Sequence, residues 1–313
     1  MIIEEIQKIK KLELYNEQEI YLINAINHES GFLLNKNKVM FIIKNNEKLD
    51  KETIHTEILT LITNIHISSL NNEPSFKSDE YNILIFNGDV SSELFDTYVE
   101  LCITYVNSHI KIAFLDFFYS LISLFQLPKE SKYKNLIGLF GELSFIIIMF
   151  QKYGLDISNE WHSGGSSYDK YDFCFNKFNL EIKSTISNNE IFHIKHNQIF
   201  NEQNNYIIVI NINEDISGNS LDDIYNFLKE KSPFKNNLSL QIKLNEEKRR
   251  VDPNQMKNKK YRVNSYKVFY NKQLKTITNI PDGIYELEYK YDFSNLSSID
   301  LCKIIEIIKS NAI

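Results

Sequence analysis

Three ionisable side chains lie close together in the otherwise largely apolar segment YDFCFNKFNLEIKST, residues 171–185. They belong to Asp172, Glu181 and Lys183. Side chains alternate between the two faces of a strand, so Glu181 and Lys183 share a face. If the central Asn-Lys pair forms a two-residue turn, Asp172 lies directly across the hairpin from Glu181. Cross-strand partners have Cβ atoms roughly 5 Å apart, so the three charged groups are predicted to meet on one patch.

This grouping of charges predicts a metal-assisted reaction. Two carboxylates at such a separation repel each other and need a cation to stay ionised. Lys183 supplies one positive charge, and two carboxylates with water molecules suit Mg²⁺, for which Mn²⁺ can substitute. A metal so held activates water and stabilises charge on a phosphate, while the lysine orients the nucleophile or neutralises the transition state. The parts are those of phosphodiester hydrolysis.

Two other interpretations of these residues compete with a carboxylate site. Glu and Lys often alternate on the solvent-exposed face of an antiparallel sheet, so the ExK pattern alone is weak; the aspartate nine residues earlier strengthens it. A histidine metal site would use His162, His193 and His196. Nothing like HExxH or HxH occurs in the sequence, which disfavours that alternative.

The elements around the hairpin would have to position these groups. NLIGLFGELSFIIIMFQKYG predicts a helix capped by Gly154. DISNEW is a strand candidate, the hairpin supplies two more strands, HIKHNQIFNEQ predicts a short helix, and NYIIVINI predicts an apolar strand. This order, over residues 136–213, predicts a mixed sheet with helices on its faces. Trp161 and the loop glycines Gly164 and Gly165 are candidates for the substrate mouth, although a packing role suits Trp161 better.

The flanking sequence predicts additions on both sides of this core. EIYLINAI, FLLNKNKVMFIIK and NILIFNG are strand candidates, and two helices are expected before Pro128. After the core we expect a helix near 219–230, the strands YRVNSYKVFY and IYELEYKYDF, and a terminal amphipathic helix. We therefore divide the chain into an N-terminal α/β region (1–88), a helical lead-in with the core (89–215) and a C-terminal extension (216–313).

The composition predicts a cytoplasmic protein with no membrane association. The chain has 313 residues, 43% of them hydrophobic, a net charge of −6 and three dispersed cysteines without a CxxC pair. Dispersed cysteines favour a reducing compartment. The N-terminus shows no signal-peptide core, and the longest apolar run, LSFIIIMF, is too short to span a bilayer. Because the net charge is negative, an anionic ligand would need a local basic surface.

One basic segment could provide that surface. Residues 241–275 contain eleven Lys and Arg against three acidic residues, a net charge of +8, with four aromatic residues interleaved. Such a segment is typical of phosphate contacts, and a solvated loop is the alternative. Neither a helix-turn-helix nor a zinc finger is recognisable. The candidate nucleic-acid-binding residues are Lys248, Arg249, Arg250, Lys259, Lys260 and Arg262.

The hairpin resembles the PD-(D/E)xK nuclease superfamily, with YD in place of PD and EIK matching (D/E)xK. Across most of the chain, the ordered segments LFDTYVELCITYV, GLFGEL, EIKST and IPDGIYELEYKYDF resemble the DUF4420 family of PD-(D/E)xK motif proteins. The resemblance implies an α/β (α+β) fold with a restriction-endonuclease-like core of αβββαβ order. It also implies that Asp172 and Glu181 are metal ligands and that Lys183 is the catalytic lysine.

Three further residues gain candidate roles from the resemblance. Glu142, in the helix before the hairpin, would complete the metal site, and a surface or capping glutamate is the alternative. Gln198, in the helix after EIK, would lie beside the catalytic residues, unless it is an ordinary surface amide. His193 would support the site or contact phosphate, although a histidine at a helix start is more often structural.

The resemblance therefore implies a Mg²⁺-dependent endonuclease that hydrolyses DNA in a restriction or phage-defence system. The reaction would be direct attack by water, leaving a 5′-phosphate. The alternative is a catalytically silent nucleic-acid-binding or scaffold subunit of a defence complex. A homodimer, and an ATPase or methyltransferase partner, are left open by the sequence.

Overall fold

A computed structural model describes residues 2–10, 20–36, 38–67, 78–126, 135–162, 170–187, 189–200, 203–284 and 286–311. Two compact units are present. The first consists of residues 1–128 with 236–245, and the second of residues 129–235 with 246–313. These boundaries differ from the three predicted segments because the two helices expected to lead into the core pack within the first unit instead.

The first unit is built on a six-stranded antiparallel sheet. Its strands are β1 (Tyr21–Asn27), β2 (Ser30–Asn35), β3 (Lys38–Lys44), β4 (Thr53–His55), β5 (Leu59–Ile67) and β6 (Asp79–Phe86). Their order is β1-β2-β3-β6-β5-β4. The strand candidate FLLNKNKVMFIIK contains two antiparallel strands, β2 and β3, whereas β4 and β5 were not predicted.

Helices α1 (Ile2–Lys10), α2 (Glu93–Asn107) and α3 (Phe114–Gln126) pack on this sheet. The two helices expected before Pro128 are thus confirmed. Their apolar faces share one core with the sheet. The buried Tyr98 hydroxyl of α2 accepts from the Phe41 N–H at 2.9 Å and donates to the Leu84 carbonyl at 2.7 Å. These bonds hold α2 against β3 and β6.

The second unit contains a four-stranded mixed sheet and a separate two-stranded ribbon. The sheet consists of β7 (Phe173–Cys174), β8 (Phe178–Thr185), β10 (Asn204–Ser220) and β11 (Lys260–Tyr270), and the ribbon of β9 (Ile191–Lys195) and β12 (Glu288–Asp292). The sheet order is β11-β10-β8-β7. Strands β8 and β10 are parallel, and the other pairs are antiparallel. The predicted α/β (α+β) class with a mixed sheet is confirmed.

The remaining helices are α4 (Leu136–Tyr153), α5 (His196–Ile199), α6 (Leu221–Glu230), α7 (Leu238–Arg249), α8 (Pro253–Asn258) and α9 (Leu301–Asn311). Helix α4 ends where predicted. Gly154 has φ 68° and caps it by donating to the Met149 and Phe150 carbonyls. This left-handed conformation suits glycine, which has no Cβ. Helices α7 and α8 occupy the basic segment and were not predicted.

The central strand β8 is covered on both faces. Gly141 of α4 lies against Ile182 and Ser184, which point to one side of β8. On the opposite face of β8, Glu181 lies beside Ile207, its partner in the neighbouring parallel strand β10. Ile207 packs in the core that the ribbon covers with Ile194. The face of β8 that carries Glu181 and Lys183 is therefore the face turned towards the ribbon.

The αβββαβ order holds from α4 to β10, with a different third strand from the one predicted. The segment DISNEW is not a strand, and only its Trp161 forms an isolated bridge, to Phe173. The predicted helix HIKHNQIFNEQ is wrong in its first part, which belongs to β9. There Phe192 and Ile194 turn inward and pair with Tyr291 and Tyr289 of β12.

Helix α4 is the only helix of the described part of the chain that is long and apolar enough to cross a membrane. By burial, however, 56% of it lies inside the protein. It also carries the buried Glu142 near its middle. An apolar helix covered by other elements is typical of a protein core.

Candidate active site

The β7–β8 hairpin brings Asp172 and Glu181 together. Phe173 pairs with Leu180 in the antiparallel ladder, so the next position places Asp172 opposite Glu181. The Phe175 N–H donates to the Phe178 carbonyl at 3.0 Å, which closes the turn as the sequence predicts. The predicted turn register is therefore confirmed. A shift of one residue would have turned Asp172 to the opposite face.

Asp172 is fixed by the backbone of the facing strand. Its Oδ2 accepts a hydrogen bond from the Ile182 N–H at 2.7 Å. Burial raises the pKa of Asp172 well above its ordinary value, and the negative charges of Glu181 and Glu142 raise it further. The carboxylate is therefore held in one orientation in a place where its charge is costly without a cation.

Lys183 supplies part of the missing positive charge. Its Nζ lies 2.8 Å from Glu181 Oε1. Burial raises the pKa of Glu181, although attraction to Lys183 and hydrogen bonds from Lys183 and Gln198 partly oppose that rise. Burial alone would lower the pKa of Lys183, but attraction and the hydrogen bond to Glu181 outweigh it, so this pKa is raised. Lys183 is thus a charged partner of Glu181.

Gln198 lies beside this pair and is buried. Its Oε1 accepts from the Lys195 N–H at 3.1 Å, and its Nε2 donates to the Lys170 carbonyl at 3.1 Å. Its amide also donates to Glu181. Gln198 therefore lies at the site, where the sequence placed it, and it joins the backbones of Lys170 and Lys195 to the side chain of Glu181.

Glu142 approaches the site from α4 and accepts a hydrogen bond from a tryptophan. It is buried, and its Oε2 accepts a hydrogen bond from Trp161 Nε1 at 3.0 Å. It lies near enough to raise the pKa of Asp172. Trp161 is itself fully buried. The arrangement gives Glu142 a structural partner, and its role as a metal ligand stays a prediction.

Asp172, Glu181, Lys183 and Gln198 open into a cleft of about 210 Å³, and Glu142 is not among the described residues that line it. The residues that line it are Lys170, Tyr171, Asp172, Glu181, Lys183, His193, Lys195, Gln198 and Glu288. His193 is among them, as a β9 residue rather than a helix-start residue. Gly164 and Gly165 lie outside the described residues.

Four lining residues were missed by the sequence interpretation: Lys170, Tyr171, Lys195 and Glu288. Lys195 could have been found only if β9 had been identified as a strand, because strand parity places it on the same side as His193. Glu288 enters because β12 pairs with β9, where Glu288 faces Lys195. No local pattern in the sequence signals that pairing.

A buried amide network supports the wall that carries Tyr171. The Tyr171 hydroxyl donates to the Asn197 carbonyl at 3.1 Å and accepts from Asn205 Nδ2 at 2.9 Å. Asn205 N–H in turn donates to Asn271 Oδ1 at 3.1 Å. Because Tyr171 directly precedes Asp172, these bonds restrict the backbone that presents the carboxylate.

The six basic residues predicted to bind nucleic acid lie elsewhere on the second unit. None of them is among the described residues that line the cleft. Arg250 Nη1 lies 3.2 Å from Oε1 of the fully buried Glu247, and Arg262 Nε lies 3.0 Å from Asp215 Oδ2. The other four are Lys248, Arg249, Lys259 and Lys260. The guanidinium groups of Arg250 and Arg262 therefore already have carboxylate partners.

The oxygen donors of the cleft are compatible with a divalent cation. Among the described residues, no group of three or more His, Cys, Asp or Glu side chains is placed to hold a metal ion. Mg²⁺, however, is usually bound by one or two carboxylates and keeps several waters. Asp172 and Glu181 meet that requirement, and burial raises the pKa of both.

Comparison with known proteins agrees with this geometry. A family model described as "Putative PD-(D/E)XK family member, (DUF4420)" matches residues 4–294. No curated protein and no solved structure matches the chain. The mixed sheet and the αβββαβ order are consistent with the restriction-endonuclease-like fold of that superfamily. The matched region covers nearly the whole sequence, and the chain therefore belongs to the PD-(D/E)XK family DUF4420.

Proposed function

We propose that this protein is a metal-dependent nuclease that hydrolyses phosphodiester bonds, with DNA as its substrate and Mg²⁺ as its cofactor. The supporting observation is the position of Asp172 opposite Glu181, with Lys183 Nζ 2.8 Å from Glu181, at the base of one cleft. Burying two carboxylates and an ammonium costs free energy, and a purely structural role would not offset that cost. We therefore interpret these three charges as a functional site.

Asp172 and Glu181 would hold the cation. When bound, a divalent cation supplies charge that acidifies water and offsets the charge developing on a phosphate. The Ile182 N–H fixes Asp172, and Gln198 fixes Glu181, so neither carboxylate has to reorganise. An ammonium has three donors, so Lys183 can bond to Glu181 and still donate to a phosphate oxygen or the attacking water.

We place this activity in restriction or phage defence because the sequence resembles families associated with such gene clusters. An ATPase or methyltransferase partner, and a cytoplasmic location, belong to the same proposal.

The test is cleavage of supercoiled plasmid, linear duplex, single-stranded DNA and RNA by the purified protein in Mg²⁺, Mn²⁺ or EDTA. We expect metal-dependent cleavage of DNA, lost in Asp172→Asn and in Lys183→Ala. A protein that cleaves none of these substrates, alone or co-expressed with the products of neighbouring genes, would contradict the proposal. Activity that persists in both variants would contradict the assignment of the site.

A catalytically silent nucleic-acid-binding subunit is the second candidate function. It is favoured by one observation: Lys183 Nζ lies 2.8 Å from Glu181 Oε1 and already gives this carboxylate a positive partner without a metal ion. Calorimetric titration with Mg²⁺ and Mn²⁺ separates the two. Binding that Asp172→Asn removes supports the enzyme, whereas no binding by the wild-type protein supports the silent subunit.

A further inference from the structure

We propose that Lys170 and Lys195 form a phosphate-binding pair that holds the substrate backbone at the cleft. The inference rests on the proposed nuclease function and specifies where the nucleic acid binds. The ligand class is a phosphodiester anion. The two lysines would contact phosphate at the cleft itself, in addition to any contacts made by the basic segment 241–275.

The two lysines are held at a fixed relation to each other. Lys170 precedes the β7–β8 hairpin, and Lys195 is the last residue of β9. A single buried side chain, Gln198, bonds to both backbones: it accepts from the Lys195 N–H and donates to the Lys170 carbonyl, each at 3.1 Å. Because Gln198 also donates to Glu181, the positions of both lysines are tied to the catalytic carboxylate.

Both ammonium groups are available for a ligand. Within the described residues, neither side chain has a hydrogen bond or an ion pair, although Lys170 Nζ lies 5.2 Å from the centre of the Tyr171 ring. Glu288 faces Lys195 across the β9–β12 ladder without forming an ion pair with it in this part of the chain. Lys183, by contrast, is bonded to Glu181.

The ligand chemistry follows from the charges of the cleft. Asp172, Glu181 and Glu288 would repel a nucleic-acid backbone that approached them alone. Two ammonium groups on the same cleft offset that repulsion and donate to phosphate oxygens. Their flexible stems suit a point contact with successive phosphates rather than recognition of a base edge. The pair therefore predicts binding that depends on salt and is insensitive to sequence.

Three basic groups of segment 241–275 already have carboxylate partners. Arg250 is paired with the buried Glu247, and Arg262 is paired with Asp215 and also donates to Ser217 Oγ at 2.8 Å. Lys267 lies 2.8 Å from the buried Glu190. These three groups would have to exchange an existing partner for a phosphate. Lys170 and Lys195 need no such exchange with any described carboxylate.

Fluorescence anisotropy tests the pair. The probes are labelled duplex DNA, single-stranded DNA and RNA of one sequence, titrated in Ca²⁺ and in EDTA at several salt concentrations. The variants are Lys170→Gln, Lys195→Gln and the double variant, with Lys170→Arg and Lys195→Arg as conservative replacements. Lys309→Gln, exposed on α9, is the matched charge control, and Lys248→Gln tests the basic segment. Circular dichroism and thermal unfolding show whether each variant is folded.

We expect each single Gln variant to bind roughly tenfold more weakly, as expected for the loss of one charge-assisted contact. The slope of log affinity against log salt should fall by about 0.7–0.9 for each lost phosphate contact. The Arg variants should retain the wild-type slope, and Lys309→Gln should match the wild type.

Wild-type affinity and slope in a folded double variant would overturn the inference while leaving the nuclease function intact. Weakened binding in the pair, with no cleavage by the wild type in any metal, would support the binding site and count against catalysis instead. A wild-type protein that binds no nucleic acid would overturn both.

Discussion

Gly141 of α4 lies directly against Ser184 of β8. A Cβ added to Gly141 would overlap Ser184 Oγ and come within 2.9 Å of Ser184 Cβ. Ser184 follows Lys183 in β8, so the closeness of this helix–strand contact determines where the strand that carries the candidate site lies. A glycine at this position is explained by packing, since any side chain would separate the two elements.

The first prediction is that Gly141→Ala destabilises the protein by about 1–3 kcal/mol, the usual effect of overpacking. The same change should reduce nuclease activity, because β8 has to move. Gly138→Ala is the matched control on the same helix. The nearest atoms to its added Cβ lie 4.0 Å away, so it should be tolerated.

Urea denaturation of both variants, followed by circular dichroism, measures the difference in the free energy of unfolding. Ser184→Gly combined with Gly141→Ala should recover part of the lost stability. Equal stability of the two alanine variants would show that α4 and β8 do not pack as described.

The second prediction concerns the stability of the metal-free protein. In EDTA at neutral pH, Asp172→Asn should raise the midpoint of thermal unfolding by a few degrees, as about 1 kcal/mol would do in a protein of this size. The physical reason is that burial and the charges of Glu181 and Glu142 disfavour ionised Asp172. Removing this charge removes that cost.

The effect of Asp172→Asn on stability also depends on pH. Folding raises the pKa of Asp172. The charged carboxylate therefore destabilises the native state, and the protonated carboxyl group does not. The gain from Asp172→Asn should therefore shrink as the pH falls through the raised pKa of the native state towards the ordinary pKa of an aspartate. Mg²⁺ should stabilise the wild type and not the variant. Differential scanning fluorimetry measures all of these midpoints, and a destabilised Asp172→Asn protein in EDTA would contradict the argument.

The sequence was sufficient to predict the hairpin but not the rest of the cleft. A two-residue turn and the two-residue period of a strand together determine that Asp172 faces Glu181. Those rules are local. The pairing of Glu288 with Lys195 joins residues far apart in the sequence, and the register of such a pair depends on tertiary packing that no local pattern contains.

The misassigned segment illustrates the same limit. HIKHNQIFNEQ is rich in polar residues, so its apolar positions are too few to separate a strand period from a helix period. Pairing with β12 decides in favour of β9 up to Lys195, and α5 follows with four residues. By contrast, the strong apolar pattern of α4 and the glycine after it were sufficient to predict that helix and its end.

The third prediction separates a structural Glu142 from a metal-binding one. Trp161→Phe removes the indole N–H that bonds to Glu142 at 3.0 Å, and this loss should destabilise the protein by about 1–3 kcal/mol. Glu142→Gln retains an acceptor oxygen for Trp161 and should cost less.

Isothermal titration with Mn²⁺ then decides the role of Glu142. If Trp161 is its main partner, Glu142→Gln should retain most of the metal affinity, whereas Asp172→Asn should lose it. An equal loss in both variants would instead place Glu142 among the metal ligands, as the family resemblance implies.

The fourth prediction concerns Glu288, which β12 brings to the cleft. Its negative charge helps to raise the pKa of Lys183, and it faces Lys195 in the ladder. Glu288→Gln removes one negative charge from the substrate path, so nucleic-acid affinity should increase severalfold, by about the effect of one screened charge. The turnover rate should change less, because Glu181 remains as the main partner of Lys183.

Asp292→Asn is the matched control for this change. Asp292 lies on the same outward face of β12, pairs with Ile191 and is not among the described residues lining the cleft. Its contact with the Ser294 N–H, at 2.9 Å, can be kept by the asparagine oxygen. Anisotropy titrations should therefore show a higher nucleic-acid affinity for Glu288→Gln than for Asp292→Asn. Steady-state cleavage rates of the two variants should differ less. A peripheral charge affects binding more than turnover. If Glu288→Gln abolishes cleavage, as Asp172→Asn is expected to do, Glu288 therefore acts in the chemistry and not only as a charge at the mouth of the cleft.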